Sequence, residues 1–364
     1  MNPGGESQSL RSWLFDAALP LWWNKGADHE RGGFHEALDG TGEPVAADRR
    51  ARVQARQIYT FATAGALGWP GPWRQAVDHG LEFFLRAYRR PDGLFRTMVS
   101  PTGATLDDTA WLYDQAFSLF ALAQATRAGV DGLHRPAHSL RTALEVWRLG
   151  EGGFREASPT HPFQSNPHMH LLEASLAWSE IDDDPAWTQL ADEIVSLALT
   201  RFIDTCGQLH EYFAPDWSFA PGVDGRIVEP GHQFEWAWLI ERWARLRGRE
   251  TAHRAAVALY EAGQRGIDRR RGVANQQLLD DGRVHDPVAR LWPQTEWLKA
   301  ATILADKAGA AAATQGLRLY LDRAPAGLWW DKLRPDGAFA DEPAPASSFY
   351  HIICAISETV SAAG

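Results

Sequence analysis

The 364-residue chain reads as an all-α protein, an (α/α)6 barrel of twelve helices in a single domain, residues 1–364. Short β-hairpins should occupy the loops at one end. Three observations predict this fold: a glycine motif that recurs, two helical stretches to each motif, and an alternation between one-sided and all-round apolar helices. The motif is clearest at Arg31-Gly32-Gly33-Phe34, Pro91-Asp92-Gly93-Leu94-Phe95 and Glu151-Gly152-Gly153-Phe154. Weaker copies surround Gly207, Gly272 and Gly337. From Gly33 the steps are 60, 60, 54, 65 and 65 residues, a period that means repeated supersecondary units and overrides the two-domain prior that length alone would give.

Taken in order, the helical stretches are 7–23, 48–67, 71–90, 107–128, 131–147, 166–182, 185–202, 229–247, 249–268, 286–307, 308–323 and 346–361. The stretch 71–90 carries one apolar stripe (Trp73, Val77, Leu81, Phe84, Leu85) and a polar back, so it predicts an outer helix. The stretches 107–128, 166–182 and 286–307 are apolar on most faces and predict inner helices. Six outer–inner units close into a barrel, which buries the faces an open solenoid would have to cap. The glycine motifs predict tight turns, because glycine supplies the positive φ such turns need. Outer-to-inner links are long and hold these motifs, whereas inner-to-outer links are short. The long loops therefore gather at one end of the barrel, where the inner helices begin and where sites are built. Asp107 or Asp108 is expected to cap the helix carrying Tyr113.

Composition excludes several classes. The chain is 45% hydrophobic and 23% charged, an ordinary globular balance. A formal net charge of −10 argues against nucleic acid or an anionic membrane as partner. Cys206 and Cys354 are too few for a disulfide scaffold or a cysteine-based zinc site. No apolar run is long enough to span a membrane, and the first residues lack a secretory pattern, so the expected location is cytoplasmic. Most of the 17 tryptophans are expected as core between helices. The outer helices leave surface on which the chain could form a homo-oligomer.

Unusual polar residues sit in the early turns of the inner helices: Arg56, Tyr113 with Asp114, Asn166 with His168 and His170, His232 with Glu235, Trp292 with Gln294 and Glu296, and His351. In Glu229-Pro230-Gly231-His232-Gln233-Phe234-Glu235-Trp236, His232 and Glu235 are three apart on one helix face. Alone, that pair reads either as a proton-transfer site or as a core histidine held by a glutamate. Six such sets converging on one barrel mouth are hard to explain structurally, since each unpaired buried polar group costs free energy.

Together, Gln54-Ala55-Arg56, Leu112-Tyr113-Asp114-Gln115-Ala116-Phe117, Asn166-Pro167-His168-Met169-His170, Gly231-His232-Gln233-Phe234-Glu235-Trp236, Trp292-Pro293-Gln294-Thr295-Glu296 and Tyr350-His351 resemble the motifs of the N-acylglucosamine 2-epimerase superfamily. The resemblance runs from about residue 30 to the C-terminus, one motif to each inner helix. It implies an (α/α)6 barrel and cofactor-free, metal-free isomerisation or 2-epimerisation of an aldose. By the same resemblance His232 and His351 are the proton-transferring pair and His170 a third active-site histidine. Arg56, Tyr113, Asn166, Glu235 and Trp292 are then sugar contacts, with Glu296 placed beside them. Gln115 stands where relatives often have histidine.

The residue types fit that chemistry. Histidine can take and give a proton near neutrality, as ring opening and enediol formation both require. Arg56 and nearby donors could stabilise charge developing on the sugar oxygens. His168 and His170 point about 200° apart on a helix, so they cannot share an ion, and no catalytic metal is expected. Thr105-Leu106-Asp107-Asp108 lacks the first aspartate of a cyclase-type acid motif, and Arg269-Arg270-Arg271 reads as a solvated charge run. Because the motifs look closer to the mannose isomerase branch of that superfamily, the resemblance implies an aldose–ketose isomerase acting on free D-mannose to give D-fructose. A sugar 2-epimerase is the alternative. A glycoside hydrolase, which would need two carboxylates such as Glu173, Glu235 or Glu296, is less favoured.

Overall fold

The computed structural model describes residues 10–157 and 162–363, and its architecture is the expected (α/α)6 barrel. Twelve helices are present among the described residues: α1 (10–26), α2 (Ala51–Ala66), α3 (Trp73–Ala87), α4 (Leu112–Arg127), α5 (His134–Leu144) and α6 (Ser165–Ser179). The others are α7 (Pro185–Leu197), α8 (Pro230–Arg247), α9 (Glu250–Gln264), α10 (Trp292–Ile303), α11 (Lys307–Asp322) and α12 (Ser347–Ala363). The even-numbered helices pack side by side in a closed inner ring, α12 returning against α2. Each later odd-numbered helix packs outside the inner helix preceding it. The sixth pair joins the two ends of the chain: Trp22 of α1 stacks on Trp329, ring centroids 4.7 Å apart, and meets Phe349 of α12 at 5.6 Å. Trp22, Trp178, Trp187, Trp236 and Trp329 are fully buried, so these tryptophans are core.

Each glycine motif is a tight turn with bridging backbone on either side, as at Ala27 with Phe34, Arg89 with Phe95, and Arg148 with Phe154. Behind them lies a second repeat. Gln54 accepts a hydrogen bond from the Phe34 N–H and donates to the Phe34 carbonyl, both at 2.8 Å. Gln115 does the same to Phe95, Gln233 to Leu209 and Gln294 to Ala274. In the third unit His168 Nε2 accepts from the Phe154 N–H at 3.0 Å. Five of the six inner helices thus grip their own hairpins through one buried side chain, satisfying backbone groups that burial would otherwise leave unpaired, while α12 carries Phe349 at that position. Gly33 shows how tight the grip is. Its φ is +72°, and a Cβ there would lie 2.7 Å from Gln54 Oε1 and 2.6 Å from the Phe83 ring.

Short antiparallel strands at the inner-helix starts lace neighbouring units together, for example Arg49–Arg50 with Met98–Val99 and Phe163–Gln164 with Tyr212–Phe213. The pair Ala37–Leu38 and Ala344–Pro345 closes the ring. Some of the strands, Arg49–Arg50 among them, take residues that helical periodicity assigns to helices. The stretch 107–128 becomes helical only at Leu112, because Thr105–Asp107 pairs with Met98–Val99. Asp107 accepts from the Thr109 N–H, so neither it nor Asp108 caps α4, and Trp111 occupies the cap position. Likewise 286–307 starts at Trp292 after two strands, and 249–268 stops at Gln264. The predicted residues 7–9 lie outside the described residues.

Candidate active site

The clamp repeat sets the geometry of the barrel mouth. Residues two beyond the clamp position project from the opposite face of each inner helix, about 200° away, toward the axis. In order they are Arg56, Phe117, His170, Glu235, Glu296 and His351. Two residues before it come Arg52, Tyr113, Asn166, Gly231, Trp292 and Ser347. These two rings supply half of the residues lining a cavity of about 250 Å³. Its wall includes Arg56, Tyr113, Asn166, His170, His232, Glu235, Trp292 and His351, eight of the nine residues singled out from sequence. The ninth, Glu296, is fully buried behind His351 and outside the wall. Gln115 likewise belongs to the clamps and not to the wall.

The two outer histidines are held in opposite charge states. His232 Nδ1 donates to Glu211 Oε2 at 2.8 Å, with Glu229 Oε2 at 3.5 Å. Burial works against its charge, but Glu211 and Glu229 outweigh it and push the imidazole up to about 10, so it is an imidazolium at neutral pH. His351 Nδ1 donates to Glu296 Oε1 at 2.8 Å. Burial, reinforced by the cations of Arg56 and Lys299, holds His351 well below its ordinary value. It is therefore neutral, with the Nε2 lone pair unclaimed by the carboxylate. Trp292 lies between the two, its ring 4.9 Å from His232 and 5.8 Å from His351. Gly231 makes room for it: a Cβ there would sit 2.4 Å from the indole.

His170 is a third neutral imidazole, lowered to about 4 mainly by burial. Its Nδ1 donates to Glu173 at 3.2 Å, and Glu173 also accepts from the Tyr350 hydroxyl at 2.6 Å. Arg56 donates to the Tyr113 hydroxyl at 2.7 Å and lies over Phe117, 4.2 Å from its centroid. Glu235 is buried beside Glu296 and Glu173. Burial and these like charges raise its pKa well above the carboxylate range, so it carries a proton. Both its oxygens, Asn166 Oδ1 and Gln276 Oε1 have no hydrogen-bond partner among the described residues. Polar atoms left unpaired around a cavity this small suit a ligand rich in hydroxyl groups.

Beneath the cavity Lys299, fully buried, places Nζ 2.6 Å from Glu296 Oε2 and 3.8 Å from the centroid of the Trp238 ring. Donor atoms of His170, Glu173 and Glu235, and of Glu235, Glu296 and His351, lie close enough to hold a metal. The Lys299 ammonium already supplies positive charge to that cluster, and it would repel a divalent ion. Sequence reasoning missed Glu211, Glu229 and Lys299 as members of the site. Glu229 is as far before His232 as Glu235 is after it, so helical spacing alone offered both. Glu211 comes from a distant loop and has no local signal.

The sequence matches the N-acylglucosamine 2-epimerase (GlcNAc 2-epimerase) family over residues 32–355. The chain belongs to this family. Membership places it among sugar isomerases and epimerases that act on small-molecule sugars. A mannose-6-phosphate isomerase of Rhizobium meliloti (strain 1021) is 48% identical, with 97% of this chain and 96% of the relative covered. A D-mannose isomerase of Thermobifida fusca is 29% identical over 89% of this chain and 87% of its own. Among solved structures, cellobiose 2-epimerase from Bacillus thermoamylovorans B4167 superposes with a TM-score of 0.88 at 18% identity, covering 98% of both chains. At that identity the likeness establishes the shared barrel alone. Among the described residues, no helix is long and apolar enough to cross a membrane.

Proposed function

We propose that this epimerase-family member is an aldose–ketose isomerase that converts free D-mannose to D-fructose without a metal. The observation that carries the reading is the pair of histidines of opposite charge, each pinned through Nδ1 by a carboxylate, on either side of Trp292. Neutral His351 takes the C2 proton of the open-chain aldose through Nε2. The His232 imidazolium gives a proton to the ring oxygen during opening and recovers the anomeric hydroxyl proton, then protonates O1 of the enediolate and accepts the O2 proton as C1 is protonated. His351 returns its proton to C1 on the same face, giving the ketose. Charge on O1 and O2 is offset by His232 and Arg56, in a site where burial strengthens both interactions. Each correctly placed acid or base contributes roughly 10²–10⁴ in rate.

The preference for a free sugar rests on charge. The two arginines of the wall are already engaged, Arg56 with Tyr113 and Ser347 and Arg290 with Asp331 at 2.9 Å. Three glutamates share the wall with them. A phosphate dianion needs cationic donors to spare. The second reading, 2-epimerisation, draws on the same pair: an acid facing the base across the sugar could return the proton to C2 from the other face.

Incubation with mannose, mannose 6-phosphate, glucose and N-acetylglucosamine in D₂O, followed by NMR, tests both points. The expected product is fructose from mannose, with deuterium at C1. Glucose in place of fructose would establish the epimerase instead, and turnover of the phosphate ester alone would overturn the free-sugar assignment. His351→Asn should lower kcat by roughly 10² or more with little change in sugar affinity. A near-normal kcat would reject the two-histidine mechanism.

A further inference from the structure

A second cluster of chemically competent side chains sits at the opposite end of the barrel. His134 and His138 lie four residues apart on one face of α5, the spacing at which two imidazoles can share an ion. Asp182, in the turn between α6 and α7, faces both. Its Oδ2 is 3.1 Å from His134 Nδ1 and 2.6 Å from His138 Nε2. All three donor atoms fall within 4.8 Å of one another. The mechanism uses none of them.

We propose that His134, His138 and Asp182 form a divalent transition-metal site, taking zinc in preference to magnesium or calcium, that staples α5 to the α6–α7 turn. Donor identity supports zinc over magnesium or calcium, since two imidazoles with one carboxylate are borderline-soft ligands and the harder ions prefer an all-oxygen shell. Around a tetrahedral ion with bonds of about 2.0–2.1 Å, neighbouring donors stand about 3.3 Å apart. The His134–Asp182 contact is near that spacing already, and the His138–Asp182 contact needs to open by well under one ångström.

The surroundings are those of a supported site. His138 Nδ1 lies 3.6 Å from Asp184 Oδ2, so when Nε2 binds the ion the ring proton moves to Nδ1 and faces a carboxylate. The His134 ring packs edge-on against Trp178 at 5.3 Å, and His138 against Trp187 at 5.8 Å, which fixes both orientations. The Trp187 indole N–H also donates to Asp182 Oδ2, at 3.3 Å. The His134 and His138 side chains are 49% and 37% exposed, so the ion has a path in and water can complete the shell.

Chelator-treated enzyme titrated with zinc by calorimetry tests the site, with cobalt(II) as an absorbing substitute. Wild type should bind one zinc per chain at micromolar concentration and show the visible bands of a four-coordinate cobalt centre. Its melting temperature should rise with zinc, and its turnover should be the same with or without chelator. The His134→Ala/His138→Ala variant should lose the tight site, the cobalt bands and the zinc-dependent rise in melting temperature while keeping turnover. His134→Ala, with only a half-exposed side chain changed, serves as a milder variant and should weaken binding at least tenfold. Wild-type affinity no better than millimolar would overturn the proposal. So would equal binding by the double variant, or a site abolished by His351→Asn.

Discussion

At the scale of single residues, the site gives two like side chains unlike neighbours. His232 faces two carboxylates and is charged, whereas His351 shares its carboxylate with Lys299 and is neutral. The raised His232 has a consequence of definite sign. Its folded-state pKa, about 10, exceeds its ordinary value, so the stability it contributes is complete below about pH 6.5 and is lost as pH rises through 10. Activity should show the same alkaline limb. Glu211→Gln removes the larger of the two attractions and should move that limb toward neutrality, as a pH profile of kcat/KM would reveal. A limb that stays in place would mean His232 does not report through Glu211. On the proposed mechanism Lys299 acts as a positioning residue: it touches Glu296, and Glu296 holds His351. Lys299→Met fills similar volume without the charge, so His351 should become more basic and the acid limb of kcat should shift upward. A purely structural lysine would lower melting temperature without moving that limb. If Lys299→Met unfolds, Glu296→Gln/Lys299→Met removes both charges of the pair and keeps the question open to measurement.

At the scale of elements, the inner helix is a two-sided device. Its clamp residue turns outward to fix a hairpin, and the residue two further on turns inward to the cavity. Much of this was legible in the sequence, because the glycine period located the hairpins and the polar residues at helix starts marked the mouth. What was not legible depended on contacts between units. Nothing local distinguishes Gln115 as a clamp from Gln115 as a sugar contact until its two bonds to Phe95 are seen. The pairing of strands between units hid for a similar reason: two-residue ladders such as Arg49–Arg50 with Met98–Val99 are too short to show alternation, and Arg49–Arg50 extends the helical pattern of the helix that follows. Gln115→Leu separates the roles. It leaves the Phe95 N–H and carbonyl buried without partners, at roughly 1–3 kcal/mol for each group. Thermal unfolding should shift down while kcat and KM of the folded variant stay close to wild type. A change in KM for mannose at unchanged stability would instead make Gln115 a sugar contact.

At the scale of the whole molecule, the ring is closed by the two ends of the chain, and the site depends on that closure. His351 stands on α12, whose outer partner α1 is the first helix, and Tyr350 beside it reaches across the barrel to Glu173 on α6. The strand pair Ala37–Leu38 with Ala344–Pro345 and the Trp22–Trp329 stack hold this junction. We propose on that basis that residues 1–364 form one cooperative domain, in which loosening the closure loosens every unit. Trp22→Ala tests it at a distance from the chemistry. Removing a fully buried indole should cost roughly 3–5 kcal/mol. In a single domain the loss appears everywhere: far-UV circular dichroism, tryptophan fluorescence and residual activity should fall together at one lowered midpoint. Hydrogen exchange should speed up in α6, across the ring from the mutation, as much as in α12. If α4 to α7 kept their protection while α1 and α12 exchanged freely, the barrel would be two units that unfold apart, and the single-domain reading would fail.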